Sequence, residues 1–551
     1  MESDGMNNKK VPFLEDLKWW QRGVIYQIYP RSYKDTTGDG IGDLNGIINC
    51  LDYLNNGSEN SLGVDALWIS PFYPSPMADF GYDVSDYCNV DPFFGDLAVF
   101  DRLVAEAHRR GIKVIIDFVP NHTSDQHYWF RESRKSRDNP RRNWYIWRNA
   151  RLDGSLPNNW GSAFGGPAWT WDDTTEQFYL HQFLKEQPEL NWRSPEVAEA
   201  MMDVLRFWLE RGVDGFRMDV VGMIIKDREL RDNPFNPDAP ANLPPDDIYG
   251  RQLHLYNGDQ DEVHEILRDF RHLLDQYRDR CAIGEVWYAL PRWIKYYGEH
   301  GGGLHLPINF SLMGQPWKAK AIRSSVDELE ATLPPFAWPN YVLGNHDAPR
   351  LASKIGEPQA RVAAMLLLTL RGTPTLYYGD ELGMVNGIIP PDRIQDPQGH
   401  RLGPERNRDV GRTPMQWNDN PFAGFSSSEP WLHVPPDFVS YNVAKQSTEF
   451  TSMLNLYRKL LWYRSSSPVL QGGSYRAVEA GEDSCFIYIR DHPMGRTLIA
   501  LNFAGSACTL SIPEEGKAVV ILSTFLDREE EVSLSNISLR PNEGIIVEIN
   551  L

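Results

Sequence analysis

The stretch KVIIDFVPNH, residues 113–122, carries the reading of the fold. A run of apolar, strand-forming residues ends abruptly in Pro, Asn and His. Ahead of it, Phe100, Leu103, Val104 and Ala107 fall at helical spacing, and Gly111 stands where a helix would end in a left-handed turn. The same unit recurs along the chain. Val197, Met201, Val204, Leu205 and Trp208 predict a helix stopped by Gly212 and followed by VDGFRMDV. Val263, Ile266, Leu267, Phe270 and Leu274 predict another before CAIGEVW. Leu366 to Leu370, then Gly372 and TLYYGDELG, make a further case. Strands alternating with helices imply parallel pairing through right-handed crossovers, and strands apolar on both sides imply burial on both faces. Strand starts are expected near Val24, Ala66, Val114, Gly215, Ala282, Leu304, Tyr341 and Thr375. Eight such units predict the α/β class and a (β/α)8 TIM barrel, whose chemistry sits at the carboxyl ends of the strands. Those ends carry His122, Asp219, Glu285, His346 and Asp347.

Three stretches break the repeat. Residues 123–185, rich in Trp, Asn, Arg and Gly, read as a small domain inserted after the third strand, with strand-like pieces such as QFYLHQFL. Residues 227–261 are Pro- and Asp-rich and read as a long loop. From residue 472 to 551, SCFIYIR, TLIALNF, ACTLSI, AVVILS and GIIVEI read as short strands of a terminal antiparallel β-sandwich. The barrel is then expected over 1–122 and 186–471.

Composition narrows the partners. Of 551 residues 41% are hydrophobic and 12% aromatic, which suits a globular chain with a large core. A net charge of −20 repels phosphate backbones and anionic lipid, so neither nucleic acid nor a membrane is expected as partner. The longest largely apolar run, Val362–Leu370, falls far short of the ~20 residues a membrane span needs. The first 20 residues lack the continuous apolar segment of a secretory signal. Cys50, Cys88, Cys281, Cys485 and Cys508 are scattered and odd in number, as expected of reduced thiols in a cytoplasmic protein. With no signal peptide expected, the Asn-x-Ser/Thr sequons at Asn56, Asn121, Asn309 and Asn536 read as chance.

Cleaving a glycosidic bond takes one carboxyl to protonate the leaving oxygen and another to attack the anomeric carbon. Asp219 and Glu285 are strand-end candidates. Asp219 lies two residues after Arg217, which puts both on one face of a strand, and the cation is expected to keep the carboxylate ionised. Glu285, flanked by apolar residues and Trp287, is expected to be desolvated, as an acid needs. Asp347 would add a negative charge nearby, and His122 and His346 suit sugar hydroxyls as neutral donors.

The motifs DFVPNH (117–122), GFRMDV (215–220), GEVW (284–287) and GNHD (344–347), with QPELNW (187–192), resemble those of the α-amylase superfamily, glycoside hydrolase family 13, in the family's order. The resemblance runs from about Trp19 to the terminal domain. It implies Asp219 as nucleophile, Glu285 as general acid/base and Asp347 as transition-state stabiliser, with Arg217, His122 and His346 binding the sugar. VIYQIYPRSYKDTTGDGIGDLNG, MADFGYDVSDY and GRTPMQW look like the α-glucosidase and oligo-1,6-glucosidase branch. That likeness implies that Asp79 and Arg412 clamp the terminal glucose as a charged pair, that Tyr82 stacks on its ring, and that Phe183 and Gln187 line the same pocket. It implies no cofactor for catalysis.

Asp35, Thr37, Asp39, Ile41 and Asp43 resemble a loop for a structural calcium ion, whose oxygens would sit at about 2.3–2.6 Å. The expected activity is a retaining exo-α-glucosidase on short α-1,4- and α-1,6-glucosides, sucrose included. In relatives Val at the position of Val220 accompanies α-1,6 cleavage, yet the 227–261 loop also shapes that side. The alternative is a transglucosylase or sucrose isomerase, although the Arg-rich acceptor motif associated with sucrose isomerases is missing after Pro391. A catalytically silent transporter heavy chain would need an anchor and would have lost the carboxylates this chain keeps.

Overall fold

The computed structural model describes residues 14–550. The start of the expected barrel range and the segment read for a signal, residues 1–13, lie outside the described residues. The eight expected strands close on themselves. β1 (Ile25–Ile28), β2 (Ala66–Ile69) and β3 (Lys113–Phe118) are followed, after an insertion carrying β4 (Trp147–Arg148), β5 (Trp169–Asp172) and β6 (Gln177–Leu180), by β7 (Gly215–Met218), β8 (Cys281–Gly284), β9 (Leu306–Asn309), β10 (Asn340–Val342) and β11 (Thr373–Tyr377). The barrel order is β1-β2-β3-β7-β8-β9-β10-β11, with β11 returning to β1 through Ile25 opposite Thr375. Neighbours are parallel throughout, as in Ile116 opposite Phe216 and Arg217 opposite Ile283. The largest shifts from the expected starts are two residues, at Leu306 and Thr373.

The helices obey their apolar spacing. In Leu97–Arg109 the buried residues are Phe100, Leu103, Val104 and Ala107. Asp96 caps this helix by accepting the Val99 N–H, and Gly111 leaves it at φ 73°, a left-handed conformation that costs glycine little. In Pro195–Glu210, Val197, Met201, Val204, Leu205 and Trp208 face the barrel, and Gly212 takes φ 92° at the exit. Helix Glu357–Thr369 is buried nearly all round. Its apolar run is pressed between the barrel and the terminal domain: Arg361 donates to the Thr524 carbonyl, and Thr369 meets Tyr488 at 2.5 Å.

The insertion folds as a three-stranded sheet in the order β4-β6-β5. QFYLHQFL is strand only as far as Leu180; beyond it the chain turns inward and brings Phe183 to the central cavity. Antiparallel bridges between His122 and Glu189 and between Tyr145 and Leu190 hold the insertion over the end of β3. The 227–261 loop has no strand and only the short 3-10 turn Tyr249–Arg251.

After residue 472 come β12 (Ser474–Val478), β13 (Cys485–His492), β14 (Gly495–Asn502), β15 (Cys508–Leu510), β16 (Lys517–Ser523), β17 (Glu530–Val532), β18 (Ile537–Leu539) and β19 (Gly544–Asn550). A six-stranded sheet packs across a shared apolar core on the β15–β18 pair. β12, β17 and β18 were not read from the sequence. β12 and β17 are edge strands with mostly uncovered side chains, and β18 is three residues long, so none shows the apolar pattern of a central strand. Cys485 on β13 and Cys508 on β15, in the two different sheets, face each other as thiols with sulfurs 3.0 Å apart. Among the described residues no helix is long and apolar enough to cross a membrane.

Trp208 tests this packing. It is fully buried against Phe72, Tyr73 and Phe100, and its indole N–H donates to the Tyr87 carbonyl at 2.7 Å. Trp208→Ala is expected to lower unfolding free energy by about 3–5 kcal/mol, measured by urea denaturation. A loss below about 1 kcal/mol would show that the site collapses to fill the void.

Candidate active site

The ladders of β3, β7 and β8 run one residue past their strands. The Asp219 N–H donates to the Phe118 carbonyl at 2.8 Å, and the Glu285 N–H to the Met218 carbonyl at 2.9 Å. This extension sets both carboxyls side by side at the barrel mouth. Below them lies the Arg217 guanidinium, wholly buried. It donates to Asp117 at 2.7 Å and to Asp219 at 2.7 Å through Nη1, and to Glu285 at 2.5 Å through Nη2. Asp117 is steadied in turn by the Trp68 indole N–H at 2.8 Å. Glu285 accepts two further donors, the Val220 backbone N–H at 3.1 Å and the Trp287 indole N–H at 2.6 Å. Val220 takes φ 35° and ψ 42°. A left-handed conformation costs an L-residue about 1–2 kcal/mol, and a β-branched one is a true outlier there. Here it aims an N–H at Glu285.

A second charged layer closes the opposite wall. Asp347 accepts from Arg412 at 2.9 Å and Arg408 at 3.2 Å. Arg408 also donates to Asp79 and to Asp396, each at 2.8 Å, and its guanidinium lies over the Phe164 ring at 4.8 Å. Tyr82 stacks flat on His346, rings 5.3 Å apart and 4° from parallel, with its hydroxyl 2.7 Å from Nε2. Between the two walls is a cavity of about 650 Å³.

Burial is the largest single influence on the pKa of each shifted group here, though not always the one that prevails. It drives His122 and His346 down to about 3, so both imidazoles are neutral. Asp117 is pushed up to about 6 by burial, with Arg217 working against it. Burial raises Asp219 well above the usual carboxylate range; Arg217 opposes it, while Glu285 and Asp117 add to it, Glu285 also through a hydrogen bond. Arg217 acts in the expected direction, favouring the ionised carboxylate, but burial outweighs it. The guanidinium is divided among three carboxyls and cannot offset the desolvation of one. Asp347 behaves oppositely. Burial would raise it, but His346, Arg408 and Arg412 outweigh burial and hold it below the usual range.

Seven of the eleven catalytic and substrate-binding residues expected from sequence line the cavity, Asp79, Tyr82, His122, Phe183, Asp219, Glu285 and Asp347, as do Val220 and Trp287. Gln187, Arg217, His346 and Arg412 stand behind them. Gln187 was expected as lining; it is wholly buried and donates to Asp79 at 3.1 Å while meeting His122 at 3.1 Å. The expected Asp79–Arg412 ion pair is also corrected. Asp79 pairs with Arg408, whereas Arg412 binds Asp347 and the His346 carbonyl. Arg408 was missed, although it lies in the same Arg-rich segment four residues before Arg412. Asp117 was quoted only within its motif; its signal was an acid inside an otherwise apolar strand. Phe164, Tyr249, His254 and Asn257 reach the cavity from the insertion and the long loop, and no local pattern marks them.

The loop read for calcium is held together from within. Asp35 spends its oxygens on the N–H groups of Thr37, Gly38 and Gly40 at 2.8–2.9 Å and on the Ser426 hydroxyl at 2.6 Å. Asp43 accepts from the N–H groups of Thr36 and Gly46, and Asp39 from that of Ile41. As folded, Asp35–Asp43 is a glycine-rich turn capped by its own side chains, with Thr37 bonded to Asp35 rather than turned outward. Among the described residues no cluster of three or more His, Cys, Asp or Glu that could hold a metal ion is found.

A barrel with paired carboxyls at its mouth is the architecture of a glycoside hydrolase. The family model described as the α-amylase catalytic domain matches residues 27–473, and the chain belongs to that family. It is 42% identical over 526 residues to a probable α-glucosidase of Rhizobium meliloti (strain 1021), covering 92% of this chain and 94% of that one. It is 35% identical to an oligo-1,6-glucosidase of Bacillus cereus, covering 97% and 100%. Among solved structures, the α-glucosyl transfer enzyme XgtA superposes with a TM-score of 0.90 at 41% identity, covering 97% of this chain and 100% of that one. The trehalulose synthase MutB of Pseudomonas mesoacidophila gives 0.87 at 33%, with the same coverage.

Arg408 is the residue on which the closed wall turns. Arg408→Ala leaves the Asp79, Asp347 and Asp396 carboxylates short of a partner and is expected to cost about 3–5 kcal/mol at pH 7. Burial already raises Asp79 above the usual range, and losing Arg408 raises it further. The penalty is therefore full above the folded pKa and shrinks as pH falls through it. Urea unfolding of both proteins at pH 5 and pH 7.5 checks this; a gap between wild type and variant that widens toward acid contradicts it.

Proposed function

We propose that the protein is a retaining, exo-acting α-glucosidase that releases α-glucose from the non-reducing end of short α-1,4- and α-1,6-glucosides such as maltose and isomaltose. One observation carries the reading. A single buried guanidinium bridges Asp219 and Glu285 beside a cavity whose far wall is the Asp79–Arg408–Asp347 charge network. Asp219 and Glu285 accept from adjacent nitrogens of one guanidinium, Nη1 and Nη2, which supports the close spacing of a retaining pair. The curated relatives named α-glucosidase and oligo-1,6-glucosidase, each covered nearly end to end, support the same activity.

In this mechanism a carboxylate oxygen of Asp219 attacks the anomeric carbon while Glu285 gives its proton to the departing glycosidic oxygen. The bond to the leaving sugar breaks and a β-glucosyl ester forms. Glu285, now ionised, takes a proton from water, whose oxygen displaces Asp219 and gives α-glucose. Asp347, kept ionised by Arg408, Arg412 and His346, holds the sugar hydroxyls and stabilises the positive charge of the transition state. Asp79 and Tyr82 seat the terminal glucose, and the Asp79–Arg408 pair blocks further chain from passing. The transfer and isomerisation reactions named for the solved neighbours differ only in which hydroxyl replaces water. The same site supports some transglucosylation. We also propose the division into a barrel over 1–122 and 186–471, an insert over 123–185 and a terminal domain over 472–551. Separate apolar clusters around Trp160 and Trp169 and around Ile487 and Val547 support it.

Asp219→Ala and Glu285→Gln are expected to lower kcat on maltose by roughly 10²–10⁴-fold or more, with unchanged circular dichroism. Proton NMR of the first product should show α-glucose, and β-glucose first would exclude a retaining route. The pair needs one proton to work, so kcat/KM should fall both where the pair gains a second proton and where it loses its last one.

A further inference from the structure

Two thiols of the terminal domain take no part in the mechanism and stand in contact. Cys485 opens β13 in the six-stranded sheet, and Cys508 opens β15 in the two-stranded one. Their sulfurs are 3.0 Å apart. That is closer than even carbon atoms rest in non-bonded contact, about 3.5–4.0 Å. The backbone leaves this approach little slack. Asn502 lies opposite Cys485 in the β13–β14 ladder and is wholly buried. Its amide N–H groups donate to the Ser506 carbonyl at 2.8 Å and the Arg540 carbonyl at 2.9 Å, and its oxygen accepts the Ala504 N–H at 2.9 Å. These bonds pin the turn that leads from β14 to Cys508. On its other side Cys508 is held by pairing with Leu539 of β18. Cys485 is buried and Cys508 is partly exposed, so one sulfur of the pair is within reach of solvent.

We propose that Cys485 and Cys508 are a redox-modification site: a small disulfide such as oxidised glutathione converts them to a reversible disulfide that staples the two sheets of the terminal domain. Cys508 loses its proton, and its sulfur attacks one sulfur of the oxidant. One glutathione leaves as thiolate and takes up a proton, and a mixed disulfide remains on Cys508. Cys485 then loses its proton and attacks the Cys508 sulfur, expelling the second glutathione. In sum two protein thiols pass two protons and two electrons to one glutathione disulfide, which becomes two glutathione thiols. Reaching the ~2.05 Å of an S–S bond asks the sulfurs to close by about 1 Å, which rotation about the Cα–Cβ bonds supplies. Burial raises both thiols above their ordinary range, with Glu482 adding to each and Glu543 to Cys508. The exchange is therefore slow at neutral pH and quickens as pH rises. The bond closes a ring over residues 485–508, which restrains the unfolded chain more than the folded one, where the two sheets already meet.

The test uses the full chain, first reduced and then held with oxidised glutathione at about pH 8.5. Tryptic digestion without reductant should give peptides 477–490 and 497–517 joined, lighter than their sum by two hydrogens, and dithiothreitol should part them. By calorimetry the oxidised protein should unfold about 2–4 °C above the reduced one. Cys508→Ser should show neither the joined peptides nor the thermal gain. Digests in which the two peptides stay separate, or in which Cys508 carries glutathione alone after prolonged exchange, would overturn the pair. Joined peptides without a thermal gain would overturn the staple.

Discussion

One buried guanidinium organises this molecule. Arg217 carries a fixed positive charge into a place with no water, and three carboxyls converge on it from β3, β7 and β8. A guanidinium presents its N–H groups in a rigid plane, so carboxyls that bind it take set positions relative to one another. The barrel supplies the strands that make this convergence possible, because adjacent parallel strands place residues 117, 217 and 283 side by side in register. The arrangement is costly: a buried cation without its full complement of partners is strongly unfavourable. The surrounding packing, with Trp68 over the guanidinium at 5.0 Å and bonded to Asp117, holds the partners in place.

The second charged layer follows the same logic with opposite effect. Around Arg217 the acids outnumber the cations, and burial raises Asp117 and Asp219 above the usual carboxylate range. Around Asp347 two guanidinium groups and a neutral imidazole surround one acid, and it stays ionised. Two neighbouring acid populations in one cavity, one inclined to hold a proton and one not, divide proton transfer from charge stabilisation. The buried His122 and His346 remain neutral between them and donate or accept without adding charge.

The long loop and the insertion give the cavity its depth. Gln182 and Asn257 bond each other across the gap at 2.7 and 2.9 Å, and the buried Lys226–Glu189 ion pair, with Asn121 on the lysine at 2.8 Å, ties both to the end of β3. Tyr249 and His254 stack 3.7 Å apart at the rim. These are polar, individually modest contacts between segments with little regular structure of their own. Together they turn the mouth of a general barrel into a confined site.

The barrel was legible from local pattern alone. Helical spacing of Phe100, Leu103, Val104 and Ala107, glycines at helix exits such as Gly111 and Gly212, and apolar strands ending in polar residues are properties of adjacent residues, and they place all eight strands within two residues. The carboxyls at strand ends were legible for the same reason: strand alternation sets which face a residue takes. What local pattern could not carry was pairing across the chain. Arg408 meeting Asp79, Arg412 turned to Asp347, Gln187 one layer behind the wall, and Asp35 bonded to Ser426 all depend on segments more than 60 residues apart. Sequence alone determined the barrel and which acids stand at its mouth, because periodicity and turn chemistry are local. Only the folded chain decided which cation each acid meets and which way burial and charge move its pKa, because those follow from burial and from distances that no stretch of neighbouring residues contains.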